Sequence, residues 1–215
     1  PKPQTPNPKP QPHTLSNNLL KIIKINKLGN IIWDKTIGGD NGDGAKSIII
    51  TSDGNYLIGG SSSSNISGEK TENSVCISTD VWLVKINENG NVIWDKTIGG
   101  DSTDTLTDIR ETKDQGIIIG AASYSDISAY KTESPVGGIG DRDYWIVKLN
   151  KDGNFEWDKT IGGSNTDQLK TIIQANDGSY VIGGWSTSNI SGDKTENTNG
   201  SWDYWLLKFE MDSSN

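Results

Sequence analysis

The heptapeptide Trp94–Gly100, WDKTIGG, occurs three times in this chain of 215 residues. The other copies begin at Trp33 and Trp157, which places the three tryptophans 61 and 63 residues apart. Two further pieces recur with it: LIGG at Leu57 with VIGG at Val181, and NISGEKTEN at Asn65 with NISGDKTEN at Asn189. Self-similarity at a fixed period of this length is typical of repeat architectures. The sequence therefore predicts one supersecondary unit used three times.

Each unit contains segments that are typical of four short strands. In the first unit these lie around 47–51, at YLIGG, at VWLVKIN and at NVIWDKTIGG, with counterparts near 108–112 and 171–175 for the first strand. They are rich in β-branched and aromatic residues, and Asp-Gly or Gly-Asn pairs separate them. No segment has a helical period over 11 residues. We therefore predict an all-β fold built from four-stranded antiparallel units.

The two ends of the repeat are incomplete. Residues 19–39 read as a third and a fourth strand, but Leu19 and Lys21 stand where Asp80 and Trp82 are expected. Units follow at about 40–100, 101–163 and 164–215, and the last stops where its fourth strand should begin. Pairing of the N-terminal fourth strand with the third strand of the last unit would close a ring, either within one chain or between chains. Residues 1–18 begin PKPQTPNPKPQP, a composition that favours an extended linker.

The segment DYWIVKLNKDGNFEWDKTIGG, followed by a hairpin that ends in glycine, resembles the seven-bladed β-propeller repeat family of exported bacterial proteins. It is also similar to the blades of quinoprotein-type propellers, in which an aliphatic strand, a glycine turn and a tryptophan-bearing strand recur. The resemblance covers residues 20–210. It implies a propeller-type array of about three blades, and a secreted or cell-surface location.

Three blades are fewer than the four to eight of an ordinary propeller. One explanation is a segment of a longer array, and a second is two chains that join into six blades. A third takes the threefold count literally and gives a β-trefoil or β-prism. We favour the propeller-type array, because a unit of about 60 residues is long for a trefoil.

Composition excludes several classes of function. The net charge of −8 disfavours nucleic acid and anionic membranes as partners. No run of about 18 apolar residues is present, so no membrane span is expected. His13 and Cys76 are the only residues of their types, which rules out a His/Cys zinc site and a Ser-His-Asp triad in the folded part. Every prominent acid is repeated, whereas a catalytic acid pair needs two different environments. We therefore expect a chain that is not an enzyme and needs no cofactor.

The repeated tryptophans and aspartates are interpreted as structural. Aromatic rings at every repeat usually pack between neighbouring units, which applies to Trp33, Trp94 and Trp157. Asp43, Asp104 and Asp167 follow the Gly pairs and suit turns in which a carboxylate accepts backbone N–H groups. A calcium site at DNGDG is the alternative for these aspartates, although its spacing departs from the known Ca²⁺ loop.

The long loops that carry KTE are the candidate binding region. They are polar and repeated, and their lengths differ, so we expect them to form a rim that binds a protein or a glycan, with self-packed loops as the alternative. The candidate residues are Lys70, Glu72, Tyr130, Lys131, Glu133, Trp185, Lys194, Glu196 and Trp202. The expected function is a non-enzymatic scaffold or interaction module, with a lectin-like domain as the alternative. A homodimer or a longer array would supply further partners.

Overall fold

The computed structural model describes residues 20–138 and 140–210. These residues form thirteen strands, and no helix occurs among them, so the prediction of an all-β fold is confirmed. The predicted Pro-rich linker, 1–18, lies outside the described residues. The described part of the chain also has no helix that could cross a bilayer.

The strands form four separate antiparallel sheets in chain order. A half unit contains β1 (Leu20–Ile25) and β2 (Ile31–Ile37). Unit one contains β3 (Asp43–Ile50), β4 (Tyr56–Ser62), β5 (Asp80–Ile86) and β6 (Val92–Ile98). Unit two contains β7 (Asp104–Glu111), β8 (Ile117–Ser123), β9 (Asp143–Leu149) and β10 (Phe155–Ile161). Unit three contains β11 (Asp167–Gln174), β12 (Tyr180–Ser186) and β13 (Asp203–Phe209).

The first strand of each unit begins earlier than the sequence pattern indicated. In unit one the register shifts between Ala45 and Ser47, and pairing with β4 then continues back to Asp43. The same irregularity recurs in β7 and β11. A bulge offsets the alternation of inward and outward residues, which hid the beginning of these strands from a period-two pattern.

The sheets stack face to face, and the hydrophobic core is divided between their interfaces. The largest cluster lies between units one and two and includes Leu83, Ile109 and Trp145, with Trp94 packed against it. A second cluster joins units two and three and includes Trp157, and a third joins the half unit to unit one and includes Trp33. The recurring tryptophans therefore fill the interfaces between blades, as predicted. β3, β7 and β11 contact one another in succession, which is the arrangement of a propeller-like array.

The array is open. Within the described residues β2 pairs only with β1, and β13 pairs only with β12. The closure that the sequence left open therefore does not occur among the described residues. The physical reason is that three blades are too few for a closed propeller. The stacked blades also replace the β-trefoil and β-prism alternatives.

Candidate functional site

In units one and two the KTE loop folds over the fourth strand of its own unit, and all three loops contact the Gly pair that follows the preceding fourth strand. The loops connect the second and third strands, over 63–79, 124–142 and 187–202. The N–H groups of Glu69, Tyr130 and Asp193 donate to carbonyls of the preceding Gly pairs, at Gly38, Gly99 and Gly162. Gly68 and Gly192 turn these loops at φ values of 56° and 55°, where glycine carries no steric penalty.

The loop lysine of unit one is buried. Lys70 is 1% exposed, its Nζ donates to Thr97 Oγ1 in β6, and it lies 5.5 Å from the centroid of the Trp82 ring. Burial lowers the pKa of Lys70, and the nearby carboxylate of Asp95 opposes that shift. This lysine therefore fastens the loop to the sheet and does not reach the surface.

The neighbouring groups complete a contact between the loop and β6. Asp95 accepts hydrogen bonds from Trp82 Nε1 at 2.9 Å and from the N and Oγ1 of Thr71 at 3.0 and 2.5 Å. Glu72 accepts from Lys96 Nζ at 2.7 Å and from the N–H of Thr97 at 2.8 Å. The Asp, Lys and Thr of WDKT thus each bind one or more residues of K-T-E or the tryptophan of the third strand. We call this set of contacts the loop–strand lock.

Unit two repeats the loop–strand lock. Lys131 donates to Thr160, and Asp158 accepts from Trp145 Nε1 at 2.9 Å and from Thr132. Glu133 accepts from Lys159 and from the N–H of Thr160, both at 2.7 Å. Tyr130, the residue that departs from the loop pattern, packs on Phe155 with ring centroids 5.7 Å apart.

These positions correct the interpretation of the KTE residues as an exposed rim. Lys70 and Lys131 are 1% exposed and Lys194 is 6% exposed, so none of the three projects from the surface into solvent. Glu72 and Glu133 are half-buried and bound to the fourth strand. The alternative, in which the loops pack against their own units, holds for units one and two.

Unit three has the loop half of the lock without the strand half. Lys194 lies 5.7 Å from the Trp205 ring centroid, as its counterparts do. No fourth strand follows β13 among the described residues, and within them Trp205 Nε1, Thr195 and the Glu196 carboxylate have no hydrogen-bond partner. Glu196 is exposed. In place of the strand lies a cleft of about 370 Å³ lined by Lys194, Thr195, Glu196, Trp205 and Leu207.

The outer face of unit three is uncovered and apolar. Tyr204 is 89% and Leu206 73% exposed, while Tyr144 and Ile146 at the same positions of unit two are fully buried. Trp202, 59% exposed, packs on Trp185 with ring centroids 5.9 Å apart. Of the predicted binding residues, Trp185, Lys194, Glu196 and Trp202 are therefore the ones that unit three brings to its cleft and open face.

The recurring aspartates accept hydrogen bonds from the turn that precedes their strands, as one of the two interpretations predicted. Gly39, Gly100 and Gly163 donate their N–H groups to Asp43, Asp104 and Asp167 at 2.6 to 2.7 Å. Among the described residues no cluster of three or more acidic, histidine or cysteine side chains is placed to hold a metal ion.

Two further aspartates lie at the starts of β5 and β9. Burial raises the pKa of Asp80 to about 6 and that of Asp143 to about 7, and in each case the charge of the aspartate that begins the next unit adds to the shift. One oxygen of Asp143 and one of Asp167 are buried without a partner in the described residues. The raised pKa values make the protonation of Asp80 and Asp143 sensitive to pH at about 6 to 7.

Sequence reasoning missed the strand half of the lock. Asp95, Thr97, Asp158 and Thr160 are buried to 8% exposure or less, and the sequence pattern assigned them no partner in the KTE loops. The signal that could have found them is that WDKT and KTE recur together, and that each contains a lysine and an acidic residue able to bind the other motif.

Comparisons with known proteins leave the function open. No family model and no curated protein matches the chain. Among solved structures, one described as a protein of unknown function from Bacteroides caccae matches with a TM-score of 0.46 and 15% identity, over 75% of this chain and 46% of that one. The chain thus spans about half the length of that structure.

Proposed function

We propose that this chain is a non-enzymatic interaction module in which unit three binds an extended strand of a protein partner. The single observation that carries the proposal is the incomplete lock of unit three. The side chains that hold the fourth strand in units one and two are present and in place, and a cleft takes the position of the strand.

The edge of β13 suits this role. Within the described part of the chain its seven residues pair only with β12, on one side, and an exposed strand edge offers a row of backbone groups to an added strand. The specificity of such an addition comes from side-chain pockets. By equivalence with units one and two, the indole N–H of Trp205 and the N–H and Oγ1 of Thr195 would bind a carboxylate. Lys194 would donate to a hydroxyl, and Glu196 would accept from a lysine. The fitting partner segment is therefore Asp-Lys-Thr in extended conformation.

A labelled peptide with the sequence of residues 30–39, NIIWDKTIGG, tests the proposal by fluorescence anisotropy. The protein should carry Asp34→Asn and Thr36→Val, so that its own copy of the motif does not compete for the cleft. We expect saturable binding that weakens about 10-fold or more when Asp in the peptide becomes Asn, since hydrogen bonds to a charged group contribute roughly 1.5–3 kcal/mol. Trp205→Phe, which removes the indole N–H, should weaken it similarly. Equal binding of both peptides would contradict the proposal.

A second candidate function is a lectin-like one, favoured by the exposed Trp202, which packs on the half-buried Trp185 of unit three. Aromatic rings with one free face stack on sugar rings. If this function holds, a glycan array should give hits that Trp202→Ala abolishes, while Trp94→Phe, at an interface between blades, leaves them unchanged. An array without hits would remove the candidate.

The setting of the module remains the one that the sequence suggested. Resemblance to exported bacterial propeller repeats supports a secreted or cell-surface location, as part of the proposal. Fractionation of the native host, with an antibody against this chain, would test it: a signal confined to the cytoplasm would contradict it.

A further inference from the structure

The half unit carries the strand half of the lock without the loop half. In β2, Asp34 and Thr36 occupy the positions of Asp95 and Thr97, yet both are exposed. Asp34 makes an ion pair with Lys21 at 2.9 Å, with side chains 39% and 57% exposed, and such surface pairs contribute little to stability. Lys21 stands where Trp82 and Trp145 donate their indole N–H groups. The chain therefore contains two complementary halves of one site, at opposite ends of the array.

We propose that two copies of this chain exchange β2, so that β2 of each copy becomes the fourth strand of unit three in the other. The proposal rests on the proposed function and names its partner: a second copy. The result is a ring of six four-stranded blades, within the range of ordinary propellers. In each blade completed in this way β13 takes the place of β1 beside β2.

The registers of the complete units fix how β2 fits. In unit one Trp82 pairs with Thr97, Leu83 with Lys96 and Val84 with Asp95. By equivalence, Trp205 pairs with the partner's Thr36, Leu206 with the partner's Lys35 and Leu207 with the partner's Asp34. Asp34 then accepts from the Trp205 indole, Thr36 receives Lys194, and Lys35 meets Glu196. Every group of the lock that lacks a partner in the described residues obtains one.

The outer faces of the array are complementary in size as well as in charge. β7 and β11 place Leu106 and Leu169, both fully buried, against the preceding unit, and the N–H of Leu106 donates to Ser61 Oγ at 3.3 Å. The equivalent of Leu106 in β3 is Ala45, which is exposed. The equivalent of Ser61 and Ala122 in β12 is Trp185, from the pairing of each with β3, β7 or β11. The small Ala45 on the free face of unit one is therefore opposite the large Trp185 on the free face of unit three when two copies dock.

The same docking would cover the apolar surface at both ends. Ile48 is 56% exposed on β3, although its equivalents Ile109 and Ile172 are fully buried. Tyr204 and Leu206 are exposed on unit three. Within the described residues the half unit has no first and second strand, so Ile48 is not covered. Unit three of the partner would place its own strands over Ile48. Burying apolar area of this kind is the main favourable term in association.

Intramolecular closure is the competing arrangement and does not fit the structure. Three blades would have to complete a full turn, and the described residues form an open array in which the two ends do not pair. In a dimer, the three blades of each chain need to cover only half of the ring.

Substitutions that change the side-chain sizes at Ala45 and Trp185 test the proposed interface between the two copies. Ala45→Leu restores the residue that the other units carry and is at an exposed position, so the single chain should fold normally. We expect it to collide with the partner's Trp185 and to raise the dimer dissociation constant at least 10-fold by sedimentation equilibrium. Ala45→Leu/Trp185→Ala should restore dimerisation. Ala45→Leu that dimerises like the parent chain would overturn the proposed face.

A disulfide tests the strand exchange and separates it from self-closure. Lys35→Cys and Leu206→Cys are introduced together in a Cys76→Ser chain; directly opposed antiparallel residues lie about 4.5–5.5 Å apart at Cα, within reach of a disulfide. Oxidation should give a covalent dimer on a non-reducing gel, and the control pair Lys35→Cys/Lys170→Cys should not. Loss of thiols without a dimer would show self-closure, and retention of thiols would show no docking; either result overturns the proposal.

Binding of the Asp-Lys-Thr peptide to a chain that stays monomeric would support the proposed function while contradicting the exchange of β2 between two copies.

Discussion

At the scale of residues, the loop–strand lock explains why WDKT and KTE are repeated almost letter for letter. A buried lysine and a buried aspartate are tolerated because each is hydrogen-bonded and faces opposite charge. Substituting one residue of either motif leaves a buried polar group of the other motif without a hydrogen-bond partner. The loss of stability is then larger than the net contribution of the hydrogen bond itself. In units one and two, where the lock is formed, the repetition therefore reflects a structural constraint.

Asp158→Ala tests the strength of the lock. The substitution removes the acceptor for Trp145 Nε1 and for Thr132, and we expect it to lower the free energy of unfolding by about 3 kcal/mol. Urea denaturation followed by tryptophan fluorescence measures the change. Asp152→Ala, in an exposed turn, is the matched control and should cost less than about 0.5 kcal/mol. Equal effects of the two substitutions would show that the lock contributes nothing.

Asp143→Asn tests the buried carboxyls. The folded-state pKa of Asp143 is raised from 3.8 to about 7, by burial and by the charge of Asp167, while Lys131 opposes the shift. The folded state therefore binds the proton more tightly, and the stability from this group is complete below pH 3.8 and lost as the pH rises to about 7. Because one proton is involved, the free energy of unfolding falls by up to about 1.4 kcal/mol for each unit by which the pH rises in that range.

The asparagine cannot titrate, so the pH dependence of unfolding between about pH 4 and pH 7 should become flatter. Asp80, with a pKa of about 6, should leave part of the slope in place. Asp152→Asn, at an exposed turn, should reproduce the slope of the parent chain. An unchanged slope in Asp143→Asn would show that this carboxyl is ionised in the folded state throughout.

At the scale of elements, strands and turns were largely predictable, whereas their beginnings and partners were not. The third and fourth strands follow from runs such as YWIVKL between glycine turns, because β-branched and aromatic residues fit a pleated surface. The bulge at Ala45 hid four residues of β3. The burial of Lys70 was missed because lysine is almost never fully buried without a partner, and its partner Thr97 lies 27 residues away.

Gly60→Ala tests the close approach of β4 to the bulge of β3. A Cβ at Gly60 would collide with the carbonyl oxygen of Gly44, which belongs to the backbone and cannot rotate away. We expect a loss of about 2 kcal/mol in the free energy of unfolding, as for other overpacked sites. Gly44→Ala, across the same pair of strands and with open space around its Cβ, is the control for calorimetry. If both variants melted at the same temperature, the bulge would not require glycine.

At the scale of the whole molecule, the open array determines what the chain can do. Its interior is the set of interfaces between blades, each a repeat of the last, so an uncovered end presents the same chemistry that holds the units together. The sequence indicated few blades, but it could not show that Asp34 and Thr36 are exposed while Trp205 and Glu196 have no partner within the part of the chain that the structure describes. That complementarity depends on burial, which is a property of the assembled sheets.

The molar mass of the unmodified chain in solution, measured by light scattering over a concentration series, tests the central claim most directly. We expect twice the chain mass of 23.3 kDa at high concentration, with dissociation on dilution and in Asp34→Asn/Thr36→Val. A mass of one chain at every concentration would contradict the exchange of β2 between two copies.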